Sequence, residues 1–131
     1  MHTTGYVYVP TSCQSRVDCD VHVAFHGCLQ TVGNIQTKFV QFTGYQEVAE
    51  ANDIVVMFPQ AASSMMSPSN YNGCWDWWGY LETSTIYSKP TKYATKEGYQ
   101  MSQVYSHLTV LKEGKLALTK ALKEEIELLS F

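Results

Sequence analysis

The sequence is short of charge. Only 16% of its 131 residues are Asp, Glu, Lys or Arg, and the formal net charge is −3. With no basic surplus to neutralise phosphates, no nucleic acid and no anionic bilayer is expected as a partner. No stretch approaches the ~18 consecutive apolar residues of a spanning helix, so no membrane span is expected. Residues Met1 to Tyr8 lack the charged and apolar regions of a secretory leader. No G-x-x-x-x-G-K segment occurs, which removes a phosphate-binding loop. His2, His22, His26 and His107 form no H-E-x-x-H array. His22 and His26 lie four apart, but on a strand that spacing separates them by roughly 13 Å. No metal and no cofactor is therefore expected. A G-x-S-x-G turn, which would lift a serine nucleophile above a sheet, is missing as well.

What the chain does have is apolar and aromatic mass. Hydrophobic residues make up 45%, and nine Tyr and three Trp dominate an aromatic content of 13%. That composition belongs to a compact exported protein rather than a disordered one. The length allows one domain, short of the roughly 200 residues of a full doubly wound α/β domain. The four cysteines, Cys13, Cys19, Cys28 and Cys74, contain no Cys-x-x-Cys pair, which weakens a zinc reading. The spacing of Cys13 and Cys19 permits a local disulfide loop, while four reduced, half-buried thiols are the alternative.

Along the chain, Gly5–Val9 reads as a strand stopped by Pro10, and Val21–His26 as a second strand ended by Gly27. Phe42, Tyr45, Val48 and Ala49 recur at helical spacing, so an amphipathic helix is expected over Phe39–Ala51, broken by Asn52-Asp53. Ile54–Phe58 (IVVMF) is a continuous β-branched run of the kind buried on both faces of a parallel sheet. Residues 60–73 are loop-like, and residues 81–95 irregular. A helix is expected from Thr95 or Lys96 to about Leu111, with Met101, Val104, Leu108 and Leu111 on one side. The order strand, strand, helix, strand, helix indicates an α/β layered fold. Ile54–Phe58 and Val21–His26 are expected as parallel neighbours, because the intervening helix supplies the crossover.

The composition shifts at residue 112. Residues 112–131 hold eight of the 21 charged residues, and Leu118, Leu122, Ile126 and Leu129 form an apolar stripe. The chain accordingly divides into a body, 1–111, and an amphipathic C-terminal helix, 112–131, either docked on the body or joined to it from elsewhere.

Two segments could carry chemistry. His26-Gly27-Cys28 follows a strand, and a glycine there lets the backbone turn so that N–H groups face a crevice. Fixed backbone donors stabilise negative charge developing on a substrate oxygen. A buried histidine closing the strand end is the alternative. The heptapeptide Cys74-Trp-Asp-Trp-Trp-Gly-Tyr80 concentrates Trp75, Trp77, Trp78 and Tyr80, forming either a rigid apolar wall for a hydrophobic substrate or a packed aromatic corner. If it alternated as a strand, Trp75 and Trp77 would share one face and Asp76 and Trp78 the other.

In order, GYVYVP, SC, DC, VHVAFHGCLQ, GYQEVAEANDIVVMFPQ, NGCWDWWGY and YATKEGYQM resemble the poly(3-hydroxybutyrate) depolymerase esterases over about Gly5 to Val110. The likeness is to the C-terminal portion of the circularly permuted domain, in which the catalytic Ser, Asp and His come earlier in the chain. The resemblance implies a partial α/β-hydrolase, a three-layer sandwich with a mostly parallel sheet. It implies an oxyanion hole at His26, Gly27 and Cys28, with the Cys28 N–H as donor. It implies substrate binding by Trp75, Trp77, Trp78 and Tyr80, a Cys28–Cys74 bridge, and Cys13–Cys19 as the other pair. It also implies an extracellular protein, a hydrophobic ester or polyester substrate in the parent enzyme, and a triad supplied by a missing N-terminal half. The chain departs from the pattern at Tyr71, where the family commonly has Pro; residues 81–92 do not align, and the tail has no counterpart. Three functions follow: a section of a secreted serine ester hydrolase, inactive by itself; a non-catalytic remnant that binds hydrophobic ligands; or a truncated product without function.

Overall fold

The run Ile54–Phe58 is the axis of the fold because its β-branched and large apolar side chains can be covered on both faces. In the computed structural model, which describes residues 1, 4–14, 18–82 and 91–112, this run is the middle strand of three. The first strand, β1 (Tyr6–Tyr8), lies along one edge of β3 (Ile54–Phe58), and β2 (Asp20–Val23) along the other. β2 runs parallel to β3, pairing His22 with Val56 and Val23 with Met57. β1 runs antiparallel, pairing Val7 with Met57. The sheet is thus mixed, with one pairing of each kind, and the expectation of a mostly parallel sheet is corrected. Only β2 and β3 are joined by a helical crossover; β1 reaches β3 as an edge strand, a position in which antiparallel pairing on an α/β sheet is common.

The expected helix over Phe39–Ala51 is two helices. α1 (Val32–Ile35) and α2 (Lys38–Phe42) precede α3 (Tyr45–Asn52), and the chain turns between α2 and α3 at Gly44, with φ of 80°. A left-handed residue cannot continue a right-handed helix, and glycine takes that conformation without a Cβ penalty. The break moves Phe42 (77% exposed) and Val48 (59%) out to solvent, while Ala49 stays buried. α3 ends at Asp53, also left-handed at φ 57°, where the Asn52-Asp53 stop is expected.

Val40, Ala49, Val56 and Phe58 form the core with Ala24, and Phe39 and Tyr45 pack edge-on against Phe58 or close to it. The pleat sends Val23 and Met57 to the opposite face from Val56 and Phe58. α4 (Tyr99–Lys112) contacts β2. It begins three or four residues later than its expected start, because Thr95 and Gly98 close a turn onto Lys92 and Thr95. Val104 is its buried apolar residue, while Met101 is 48% exposed. The helix runs through residue 112, and the rest of the expected tail helix, 113–131, lies outside the described residues.

Candidate functional site

The site grows from the end of β2. Strand bonding continues one residue past Val23, with the Ala24 N–H donating to Met57 O at 2.9 Å. The chain then leaves the sheet through Phe25 and His26. His26 is 2% exposed. Its Nε2 accepts the Ala61 N–H at 3.1 Å, so that nitrogen carries a lone pair; Nδ1, 2.7 Å from Gly27 O, then holds the proton and donates it. Burial pushes this imidazole below its ordinary range. With both ring nitrogens spent on backbone groups, the side chain pins the turn to the segment after β3.

The turn presents three successive amides. The Gly27 N–H donates to Gln30 Oε1 at 2.7 Å, and the Leu29 N–H to Asn72 O at 2.7 Å, with Leu29 left-handed at φ 60°. Between them the Cys28 N–H has no hydrogen-bond partner among the described residues, and Cys28 lies at the surface. The Cys28–Cys74 disulfide, with Cα atoms 4.3 Å apart, fastens this turn to the start of the aromatic heptapeptide. Cys13 and Cys19 form the second bridge, Cα to Cα 6.1 Å, at the other end of β2.

The heptapeptide is an irregular loop and not a strand, so the expected alternation of its side chains does not occur. The Trp77 N–H folds back onto Trp75 O at 2.9 Å. Asp76 is what bends it: Oδ1 accepts the N–H groups of Gly79 and Tyr80 at 2.6 and 2.8 Å, and Oδ2 that of Leu81 at 3.2 Å. A short acidic side chain that gathers the following amides fixes a turn where neither helix nor strand could form. The three indoles then separate. Trp75 turns inward, donating Nε1–H to His26 O at 3.0 Å and meeting Phe25 edge-on. Trp77 and Trp78 stand outward, 68% and 39% exposed, in edge contact with each other at 5.0 Å between centroids. Tyr80 lies 4.8 Å from Trp78. His26, Gly27, Cys28 and Trp75 are thus brought into one assembly, while Trp77, Trp78 and Tyr80 form a second cluster on the same loop. Phe25, Trp75, Tyr93, Tyr99, Met101 and Val104 border a cleft of about 280 Å³ between this loop and α4.

Two carboxamides that sequence reasoning passes over organise the assembly. Asn70, 3% exposed, accepts the Cys74 N–H on Oδ1 at 2.9 Å. Its amide hydrogens are shared among Ala62 O, Cys74 O and the Tyr80 hydroxyl. Gln100, 6% exposed on α4, accepts the Asp76 N–H at 2.6 Å and donates to the Tyr80 hydroxyl at 2.9 Å. Tyr80 passes its own proton to Cys74 O at 3.3 Å, and burial raises its phenol above the ordinary range. The only advance signal for Gln100 is its place in the YATKEGYQM segment.

No family model matches the chain. Among curated proteins it is similar to the poly(3-hydroxybutyrate) depolymerase of Delftia acidovorans, 39% identical over 116 residues, covering 87% of this chain and 21% of that protein. It is also similar to the polyhydroxybutyrate depolymerase of Talaromyces funiculosus, 45% identical over 89 residues, 61% of this chain and 26% of that one. The chain therefore spans about a fifth to a quarter of the length of these relatives. Of solved structures, the PHB depolymerase from Penicillium funiculosum superposes with a TM-score of 0.65 at 36% identity, over 86% of this chain and 35% of that chain. A PHB depolymerase variant complexed with R3HB trimer gives 0.56 at 45% identity, over 59% and 27%.

Proposed function

The chain is a homologue of one stretch of the polyhydroxybutyrate depolymerases, and from that premise we propose that it forms the oxyanion turn and aromatic substrate wall of a secreted serine ester hydrolase with an α/β-hydrolase fold. The observation that carries this reading is the Cys28 amide. Its neighbours on both sides donate within the protein, and it alone of the three lacks an acceptor among the described residues. A rigid, disulfide-anchored N–H without an internal acceptor suits an oxygen that becomes negative during reaction. The His26 side chain and the Gly27 amide are engaged internally, so in this reading they shape the turn, and Cys28 is the donor. Trp77 and Trp78 supply exposed apolar area for a hydrophobic ester or polyester chain, in keeping with a structural relative complexed with R3HB trimer.

The reaction needs a serine to attack the ester carbonyl and a histidine to take its proton. The 131 residues hold no G-x-S-x-G, so the triad would come from the N-terminal half of the parent enzyme. By itself the chain binds without turning over, since losing nucleophile and base costs several orders of magnitude in rate. Two disulfides among the described residues suit an extracellular protein. The test pairs a p-nitrophenyl ester assay with calorimetric titration of R3HB trimer. The expected result is trimer binding that is lost in a Trp77→Ala, Trp78→Ala double variant, with no hydrolysis above buffer. Turnover abolished by a single substitution, or trimer binding indifferent to the double variant, refutes the reading.

A further inference from the structure

The segment YATKEGYQM has no part in the oxyanion turn, yet it delivers a buried carboxamide to the aromatic loop. We propose that Gln100 is a positioning residue whose side chain, clamped between Asp76 and Tyr80, holds the exposed Trp77–Trp78 pair in place from α4. The inference deepens the reading of that pair as a substrate wall and rests on it for its functional meaning.

The geometry is specific to a carboxamide. Oε1 must accept, because it faces the Asp76 N–H at 2.6 Å; Nε2 must donate, because the Tyr80 hydroxyl at 2.9 Å has committed its proton to Cys74 O. Trp77 and Trp78 lie between these two anchor points in the chain and make no other backbone attachment to α4 among the described residues. Asp76 and Tyr80 are also tied to each other, through the Asp76 carboxylate and the Tyr80 N–H at 2.8 Å. The loop is therefore a closed span of three residues whose two ends are both fixed by Gln100. The preceding turn places Gln100 there. Gly98 is buried with the carbonyls of Lys92 and Tyr93 so close that a Cβ would lie 2.8 Å from each, and Ser102 N–H bonds to Gly98 O to start α4. Glutamate has no proton to donate at neutral pH, and leucine has neither function, although both nearly match glutamine in size.

The experiment compares the full chain with Gln100→Leu and Gln100→Glu, following Asp76 amide exchange by NMR and the near-UV circular dichroism of the indole pair. Q100L should raise exchange at Asp76 on the order of ten- to a hundredfold and diminish the Trp dichroism, with far-UV dichroism retained. Q100E keeps an acceptor for the Asp76 N–H and loses only the donor to Tyr80, so at neutral pH the Trp dichroism should fall while Asp76 stays protected. On acidification its protonated carboxyl regains a donor for the Tyr80 hydroxyl, so the dichroism should return, against a wild-type control at each pH. Wild-type exchange and dichroism in Q100L overturn the proposal; so does a Q100E that ignores pH, which decides the matter even if Q100L does not fold. R3HB trimer binding is measured alongside. If the wild type does not bind trimer, the substrate-wall reading fails, while exchange and dichroism still decide whether Gln100 positions the loop.

Discussion

Replacing Asn70 by alanine should unfold this protein at a much lower temperature while removing almost no apolar contact. The side chain is 3% exposed and serves four polar groups. Two of them, the N–H and the carbonyl of Cys74, belong to a residue only 7% exposed, where water cannot readily take over. Stranding one buried donor costs about 1–3 kcal/mol. The Cys74 carbonyl keeps the Tyr80 hydroxyl, and Tyr80 keeps Gln100, so their losses are partial. The sum is roughly 2–4 kcal/mol, which in a domain of this size lowers Tm on the order of 7–15 °C. Thermal unfolding by circular dichroism measures it, with a urea titration to show an unchanged m-value. Asn70→Asp sharpens the test. Its carboxylate can still accept the Cys74 N–H but meets two carbonyl oxygens without a proton. The carboxyl pKa is then raised in the folded state, and the variant gains stability as pH falls through it. An Asn70→Ala protein within about 0.5 kcal/mol of wild type, the range of ordinary surface substitutions, would refute the argument.

Removing the Cys28–Cys74 bridge by a double serine substitution should cost about 4 kcal/mol from a loop of 46 residues; denaturation midpoints indifferent to reductant would contradict that. Gly73→Ala should destabilise by roughly 1–3 kcal/mol, because φ is +58° and the new Cβ would lie 2.4 Å from Thr31 Cγ2. Combining it with Thr31→Ser, which deletes that methyl, should recover part of the loss in a double-mutant cycle. The Tyr8 phenol, partly buried and donating to Glu50 at 2.6 Å, is pushed up to about 12 from 10.0. The unfolded chain then releases this proton first, so the contribution is complete below pH 10 and lost as pH rises toward 12. Alkaline ultraviolet titration should show Tyr8 and Tyr80 ionising later than an ordinary tyrosine, and Glu50→Gln should bring the Tyr8 component earlier.

What the sequence discloses and what it withholds divide by the range of the forces involved. IVVMF declares itself a strand because β-branched residues next to one another have few other places to go, and Pro59 marks its end. The pairing of β2 with β3 follows from the helical crossover between them. Gly44 was visible too, but its φ depends on how α2 and α3 must each reach the sheet, and the apolar spacing of Phe42, Tyr45, Val48 and Ala49 reads straight across it. The same holds for the heptapeptide. Its strand-like alternation is a pattern of side chains, whereas its path is set by Asp76 collecting three amides. Asn70 and Gln100 are the extreme case. Gln100 meets the Asp76 N–H across 24 residues, and a glutamine has no local preference that announces such a partner. Which backbone groups need a carboxamide is decided only once the loop has left regular structure, because helices and strands satisfy their own amides and an irregular buried loop cannot. The demand for these two side chains is therefore created by the fold itself, at the place where the CWDWWGY loop gives up backbone pairing to turn two indoles toward solvent.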